Sequence, residues 1–194
     1  MSGRASRRLF FASMPPAAWR ERMQAQVVAH GLDRRLRGAM FAPGNWHQSW
    51  SERVFDPTPA ECDALLQVGA RVRAHACTLP FNRIDSSGDE PGRIHWTLRA
   101  RGRPAAFDAA AACIRTTLAD AGHAAIATGV SPHITLSYCA RDTLEKIALD
   151  PPLAWTIDEL LLVIGGGQPY AYEVIGRWPL LPETDPPATQ MGLF

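Results

Sequence analysis

Apolar residues recur along the chain with two periods, one that suits strands and one that suits helices. Residues 7–13 (RRLFFAS) gather aromatic and aliphatic side chains into a short stretch that reads as a strand. Pro15-Pro16 follows and suits a first helical turn, where a missing N–H has no partner to lose. Trp19, Met23, Val27 and Val28 then recur at helical spacing up to Gly31. Residues 32–45 read as a loop and 45–54 (NWHQSWSERV) as a strand. Thr58, with Glu61 three residues on, predicts a capping box opening a second helix, whose stripe is Cys62, Leu65, Leu66, Gly69 and Val72.

Further on, residues 79–84 and 93–99 read as strands separated by turn residues at 86–89 and Pro91-Gly92. Residues 104–121 are Ala-rich, with Phe107, Ala111, Ile114 and Leu118 in helical register and Gly122 as the stop. Residues 132–139 (PHITLSYC) read as a strand and 142–149 as a short helix. Residues 155–164 and 170–180 read as a closing hairpin around Gly165–Gly167. Strands occur both as hairpins and separated by helices, which predicts an α+β fold rather than a doubly wound parallel sheet.

Composition narrows this picture. With 194 residues, 46% of them apolar and 20% charged, the chain is long enough for one domain or two closely packed lobes and too apolar to be disordered throughout. The net charge of +1 excludes retention on nucleic acid by bulk charge. The charge is uneven, however. Residues 1–40 carry Arg4, Arg7, Arg8, Arg20, Arg22, Arg34, Arg35 and Arg37 against Glu21 and Asp33. Lys146 is the single lysine, and arginine suits bidentate phosphate contact.

No apolar run reaches the ~18 residues of a membrane span, and LFFASM is shorter than the ~7–15 residue core of a signal peptide. The expected location is cytoplasmic, with no membrane partner. Cys62, Cys77, Cys113 and Cys139 form no metal-binding spacing and read as free thiols; Cys139 stands six residues after His133, within range of a nucleophile.

Three of the six histidines share a pattern: His47-Gln48-Ser49, His95-Trp96-Thr97 and His133-Ile134-Thr135. In a strand, residues i and i+2 point to one face, so each segment presents an imidazole beside a hydroxyl. An imidazole exchanges protons near neutrality, and a hydroxyl donates to a phosphoryl oxygen. Two such pairs facing each other would hold a phosphodiester between a general base and a general acid, with no metal required. HxH, HExxH and GxxxxGK[ST] patterns are absent, and Gly165–Gly167 leads into a strand rather than a helix.

The element order, together with Asn45-Trp46-His47-Gln48-Ser49 and Pro132-His133-Ile134-Thr135-Leu136, resembles the two-histidine phosphoesterases. It is most similar to the bacterial RNA 2′,3′-cyclic phosphodiesterases, also called LigT-like proteins or 2′-5′ RNA ligases. The resemblance spans residues 7–180 as one bilobal domain, leaving 1–6 and 182–194 as flexible tails. It implies two pseudo-symmetric lobes, each an antiparallel sheet with helices packed outside, around a central cleft. His47 and His133 would be catalytic and Ser49 and Thr135 would bind phosphate, while His95 would be structural or line the groove.

The implied reaction is metal- and cofactor-free hydrolysis of 2′,3′-cyclic phosphate RNA ends to 2′-phosphomonoesters, with a monomer as the default state and ligase activity open. Two positions depart from the family pattern. Ser49 stands where Thr is usual, and Tyr138 stands where an Arg usually follows the second motif. Arg141 or an N-terminal Arg would have to replace that cation. Trp46, Trp50, Phe41 and Tyr138 are candidate stacking surfaces, and Arg34, Arg35 and Arg37 candidates to follow an RNA backbone. Small cyclic nucleotides, a cyclic phosphate of ADP-ribose type, and a non-catalytic relative that binds RNA ends are the alternatives.

Overall fold

The computed structural model describes residues 6–184. Nine strands form two antiparallel sheets, and four helices pack outside them. The first sheet has the order β2-β1-β8-β9, from Gln48–Ser49, Arg8–Ser13, Glu159–Gly166 and Ala171–Pro179; β3 (Val54–Phe55) also pairs with β1. The second has the order β6-β5-β4-β7, from His133–Ala140, Ile94–Ala100, Cys77–Ser87 and Ile147–Ile157. The fold is α+β, as expected.

The helices follow the sequence cues. In α1 (Ala17–Ala29), Trp19, Met23 and Val27 recur every four residues and are buried. A short helix α2 (Leu32–Leu36) and two 3-10 turns occupy the stretch expected as loop, because Leu32 and Leu36 are drawn into the core. Both bonds of the capping box open α3 (Pro59–Gly69): the Glu61 N–H donates to Thr58 Oγ1 at 3.2 Å, and the Thr58 N–H donates to Glu61 Oε2 at 2.7 Å. Gly69, at its end, lets the Trp178 ring lie against the helix; a Cβ there would meet that ring at 2.3 Å. In α4 (Ala105–Asp120), Phe107, Ala110, Ile114 and Leu118 are buried, and Gly122 leaves with φ +86°.

Alternation along β1 divides the interior. Leu9 and Phe11 join the main core under the helices, whereas Phe10 and Ala12 face the other way with Leu161 and Val163. That smaller cluster, on which His47 packs through Phe10, marks the groove face of the first sheet. Three expectations change. Residues 142–149 form no helix, since Ile147 and Ala148 pair with Ile84 and Arg83 at the start of β7; ladder pairing outweighs local propensity. Residues 45–54 give two two-residue strands rather than one. The chain bows out between them, where the Phe11 N–H donates to Ser51 Oγ at 3.0 Å. At the C-terminal end, Pro182 and Glu183 are tied down: the carbonyl of Pro182 lies 2.7 Å from His75 Nδ1, and the Thr78 N–H donates to Glu183 at 2.8 Å. Residues 1–5 and 185–194 of the predicted tails lie outside the described residues.

Candidate active site

β2 and β6 are edge strands of different sheets, and a single buried side chain joins them. Gln48 is 0% exposed. Its amide nitrogen donates to the carbonyls of Ser49 (2.8 Å) and Ser131 (3.0 Å), and its amide oxygen accepts from the His133 N–H at 3.0 Å. The two His-x-Ser/Thr segments are therefore laid side by side across the seam of the molecule.

Each imidazole is oriented in the same way. His47 Nδ1 lies 2.8 Å from the carbonyl of Asn45, and His133 Nδ1 lies 3.0 Å from the carbonyl of Ser131, in each case two residues upstream. A carbonyl only accepts, so Nδ1 carries the proton and Nε2 is left free. His47 packs between Phe10 (ring centroids 5.2 Å) and Tyr172 (5.0 Å), which leaves it 9% exposed. Burial pushes its pKa down to about 4, opposed by the Asn45 carbonyl and aided by the charges of Arg53 and His133. His133 is half-buried, and its pKa is also lowered, first by burial and then by the charges of Arg99, Arg53 and His95. Burial thus favours the neutral form of both rings. Thr135 is buried beside His133, and Ser49 is half-buried in β2.

One cation acts on both imidazoles. Arg53 leaves the bowed segment after β2, lies 5.3 Å over the Phe10 ring and donates to the Tyr138 hydroxyl at 3.1 Å. Its Nε is buried with no hydrogen-bond partner. No carboxylate pairs with it among the described residues. Tyr138 reaches the groove through a register shift. Thr97 pairs with Thr135 but Trp96 with Ser137, so β6 carries one extra residue there and Tyr138 returns to the Thr135 face. His95 is exposed at the rim, 4.9 Å from the Tyr138 ring, and Phe41 packs on the same ring at 5.3 Å.

Several sequence expectations are corrected. Trp46 (0% exposed) and Trp50 (1%) are core residues, not stacking surfaces; Trp50 stacks on Phe107 at 5.1 Å and donates to Ser13 Oγ. Arg141 lies past the end of β6, away from the imidazoles, in a separate cavity with Arg34, Arg35 and Arg37. Cys139 lines that cavity rather than approaching His133 as a nucleophile. Gln48 and Arg53 were not singled out by the motif spacing. Gln48 sits at the middle position of its motif, on the face opposite His47, and Arg53 lies beyond the strand.

Among the described residues no helix is long and apolar enough to cross a membrane, and no three His, Cys, Asp or Glu side chains cluster as metal ligands.

Solved structures share this fold. Escherichia coli LigT complexed with 3′-AMP superposes with a TM-score of 0.69 at 23% identity, over 90% of this chain and 98% of LigT. The fold is that of LigT. The same protein complexed with NADP+ gives a TM-score of 0.72 at 23% identity, covering 90% and 98% of the two chains. A Thermus thermophilus protein gives 0.68 at 20% identity, covering 91% and 99%. No protein-family profile matches the sequence, and no curated protein does so. At this identity the LigT likeness speaks for the architecture, and the chemistry rests on the side chains described above.

Proposed function

We propose that this LigT-like protein is a cyclic phosphodiesterase that opens 2′,3′-cyclic phosphate ends of RNA to 2′-phosphomonoesters without a metal. The observation that carries the reading is the matched pair of imidazoles. Each is held through Nδ1 by the carbonyl two residues upstream, and Gln48 joins their backbones across the seam. E. coli LigT has been captured with 3′-AMP, ATP and NADP+, all nucleotides, which agrees with a nucleotide phosphate as the ligand.

In the proposed step a water attacks phosphorus while one imidazole takes its proton through Nε2. The bond from phosphorus to the 3′ oxygen breaks, and the other imidazole, protonated beforehand, gives its proton to that oxygen. The pair then exchanges its protons with solvent. The stronger pKa depression makes His47 the base and leaves His133 as the acid. Ser49 and Thr135 donate to the non-bridging oxygens, and the Arg53 guanidinium offsets their charge. Arg53 thus stands in for a cation on β6, where Tyr138 now serves to aim it.

Turnover of a cyclic-phosphate RNA end in excess chelator tests the reading; absence of turnover, or turnover abolished by the chelator, overturns it. The pH profile of kcat/KM carries a further expectation. The base must be neutral and the acid protonated. Activity therefore rises with pH near 4 as His47 loses its proton, and falls again below pH 6.5 as His133 does. An optimum above pH 7.5 would contradict the assignment.

Arg53→Met is expected to lower kcat/KM by about 10- to 100-fold, the range for a hydrogen bond to a charged group. It should also move both limbs of the profile to higher pH, since the Arg53 charge lowers both imidazole pKa values. Arg53→Lys should restore the limbs to their original positions. Limbs that stay fixed in Arg53→Met would remove Arg53 from the site.

A further inference from the structure

A wide cavity lies outside the imidazole groove. It measures about 830 Å³ and opens between α2 with its following turn and the end of β6. Arg34, Arg35, Arg37 and Arg141 line it, with Asp142 as the one acidic side chain on its wall. All four arginines are exposed, and among the described residues none forms an ion pair. Arg35 is held in place, 4.7 Å over the Trp96 ring and donating to the Thr143 carbonyl at 3.1 Å. Arg37 is a non-glycine residue with φ +48°. Four like charges around one hollow repel each other, and an anion that enters relieves that repulsion.

The position of this cavity defines the kind of anion. Cys139, on its wall, follows Thr135 by four residues along β6, roughly 13 Å at ~3.3 Å per residue. On β6 between Thr135 and the cavity stands Tyr138, whose ring meets those of Phe41 and His95, and none of the three is fully buried. Following β6, the chain passes His133 and Thr135, then Tyr138 with its ring neighbours, then the arginine-lined hollow. A single-stranded nucleic acid has the matching order of reacting end, stackable base and backbone phosphates. A mononucleotide would fill the groove and leave the hollow empty.

We propose that this cavity is a second anion site, which takes backbone phosphates of an RNA strand a few nucleotides from the end held between His47 and His133. The proposal rests on the phosphodiesterase reading of the groove and deepens it, because it adds a site that holds the RNA strand beyond its reacting end.

The test compares the wild type with an Arg34→Gln/Arg37→Gln/Arg141→Gln variant. The three side chains are exposed and away from the imidazoles. Two substrates are used, a nucleoside 2′,3′-cyclic phosphate and a single-stranded oligonucleotide with the same end. In the wild type, kcat/KM should favour the oligonucleotide. The variant should lose about 10- to 100-fold on the oligonucleotide and keep its mononucleotide rate, while the salt slope of oligonucleotide binding flattens by about 2, at ~0.7 per phosphate contact. Equal losses on both substrates, or no preference for the oligonucleotide in the wild type, overturn the site.

Should the wild type turn over neither substrate, the groove reading fails on its own. Binding of the oligonucleotide, followed by fluorescence anisotropy, then decides the cavity. Binding that depends on the three arginines and shields the Cys139 thiol from a disulfide reagent supports the site. Displacement by tripolyphosphate with no dependence on RNA length gives the hollow to a small polyphosphate and overturns the RNA assignment.

Discussion

His133→Ala is expected to slow hydrolysis of a 2′,3′-cyclic phosphate end by about 10²–10⁴-fold, the usual worth of a positioned general acid or base. His47→Ala should do the same, for a different reason in each limb of the pH profile. Loss of His133 removes the proton donor to the leaving oxygen, so the alkaline fall should vanish. Loss of His47 removes the base, so the acidic rise should vanish. The double variant should be little worse than either single one, because the two proton transfers belong to one concerted step. His47 also packs between Phe10 and Tyr172, so a thermal melt must accompany the kinetics. His47→Gln keeps a side chain of similar reach and separates lost chemistry from lost packing. Either single alanine variant retaining a near-normal rate would end the acid–base account.

Gln48→Leu is expected to have the second largest effect, although Gln48 touches no substrate. Leucine fills a similar volume but leaves the His133 N–H and the Ser131 and Ser49 carbonyls without their side-chain partner. A buried polar group left unsatisfied costs about 1–3 kcal/mol, so the loss should total about 3 kcal/mol, read as a fall in the urea midpoint. The kinetic effect follows from geometry. With the seam loosened, the two imidazoles drift relative to each other, and a displacement of about 1 Å can cost on the order of 10²-fold in rate. kcat should fall more than KM rises. Gln48→Glu retains the acceptor for His133 N–H but turns a carboxylate oxygen toward two carbonyls, and it should be no better than leucine. A Gln48→Leu enzyme with unchanged kcat and midpoint would show that the seam is held elsewhere.

The site was legible where chemistry follows local periodicity. A residue and its second neighbour share a face, so His47 with Ser49 and His133 with Thr135 emerge from spacing alone. The capping box at Thr58, the stop at Gly122 and the final hairpin likewise depend on short stretches. What was not legible depends on contacts between distant segments. Gln48 occupies the inward position of a strand, where a polar residue carries no signal until the edge of the other sheet arrives beside it. Tyr138 would face away from the groove by simple alternation, and the extra residue in β6 reverses this. Arg53 belongs to a segment read as regular strand, but the chain bows there and turns its guanidinium toward the imidazoles. Trp46 and Trp50 flank the motif in sequence, yet their apolar bulk takes them into the core. Residues 142–149 have no strong β pattern and gain their strand from pairing with β4.

The first and the last described strands lie in a single sheet: β1 begins at Arg8, and its long partner β8 begins only at Glu159. The second sheet, running from Cys77 to Ile157, is nested between them. During translation that nested half completes first, while the strand carrying Phe10 and Phe11 waits with the edge meant for β8 unpaired. At ~5–20 residues per second the delay is on the order of ten seconds or more, during which a nascent chain shows an aromatic edge to chaperones and to other nascent chains. A stop codon anywhere before the last hairpin would therefore damage the beginning of the protein as surely as its end.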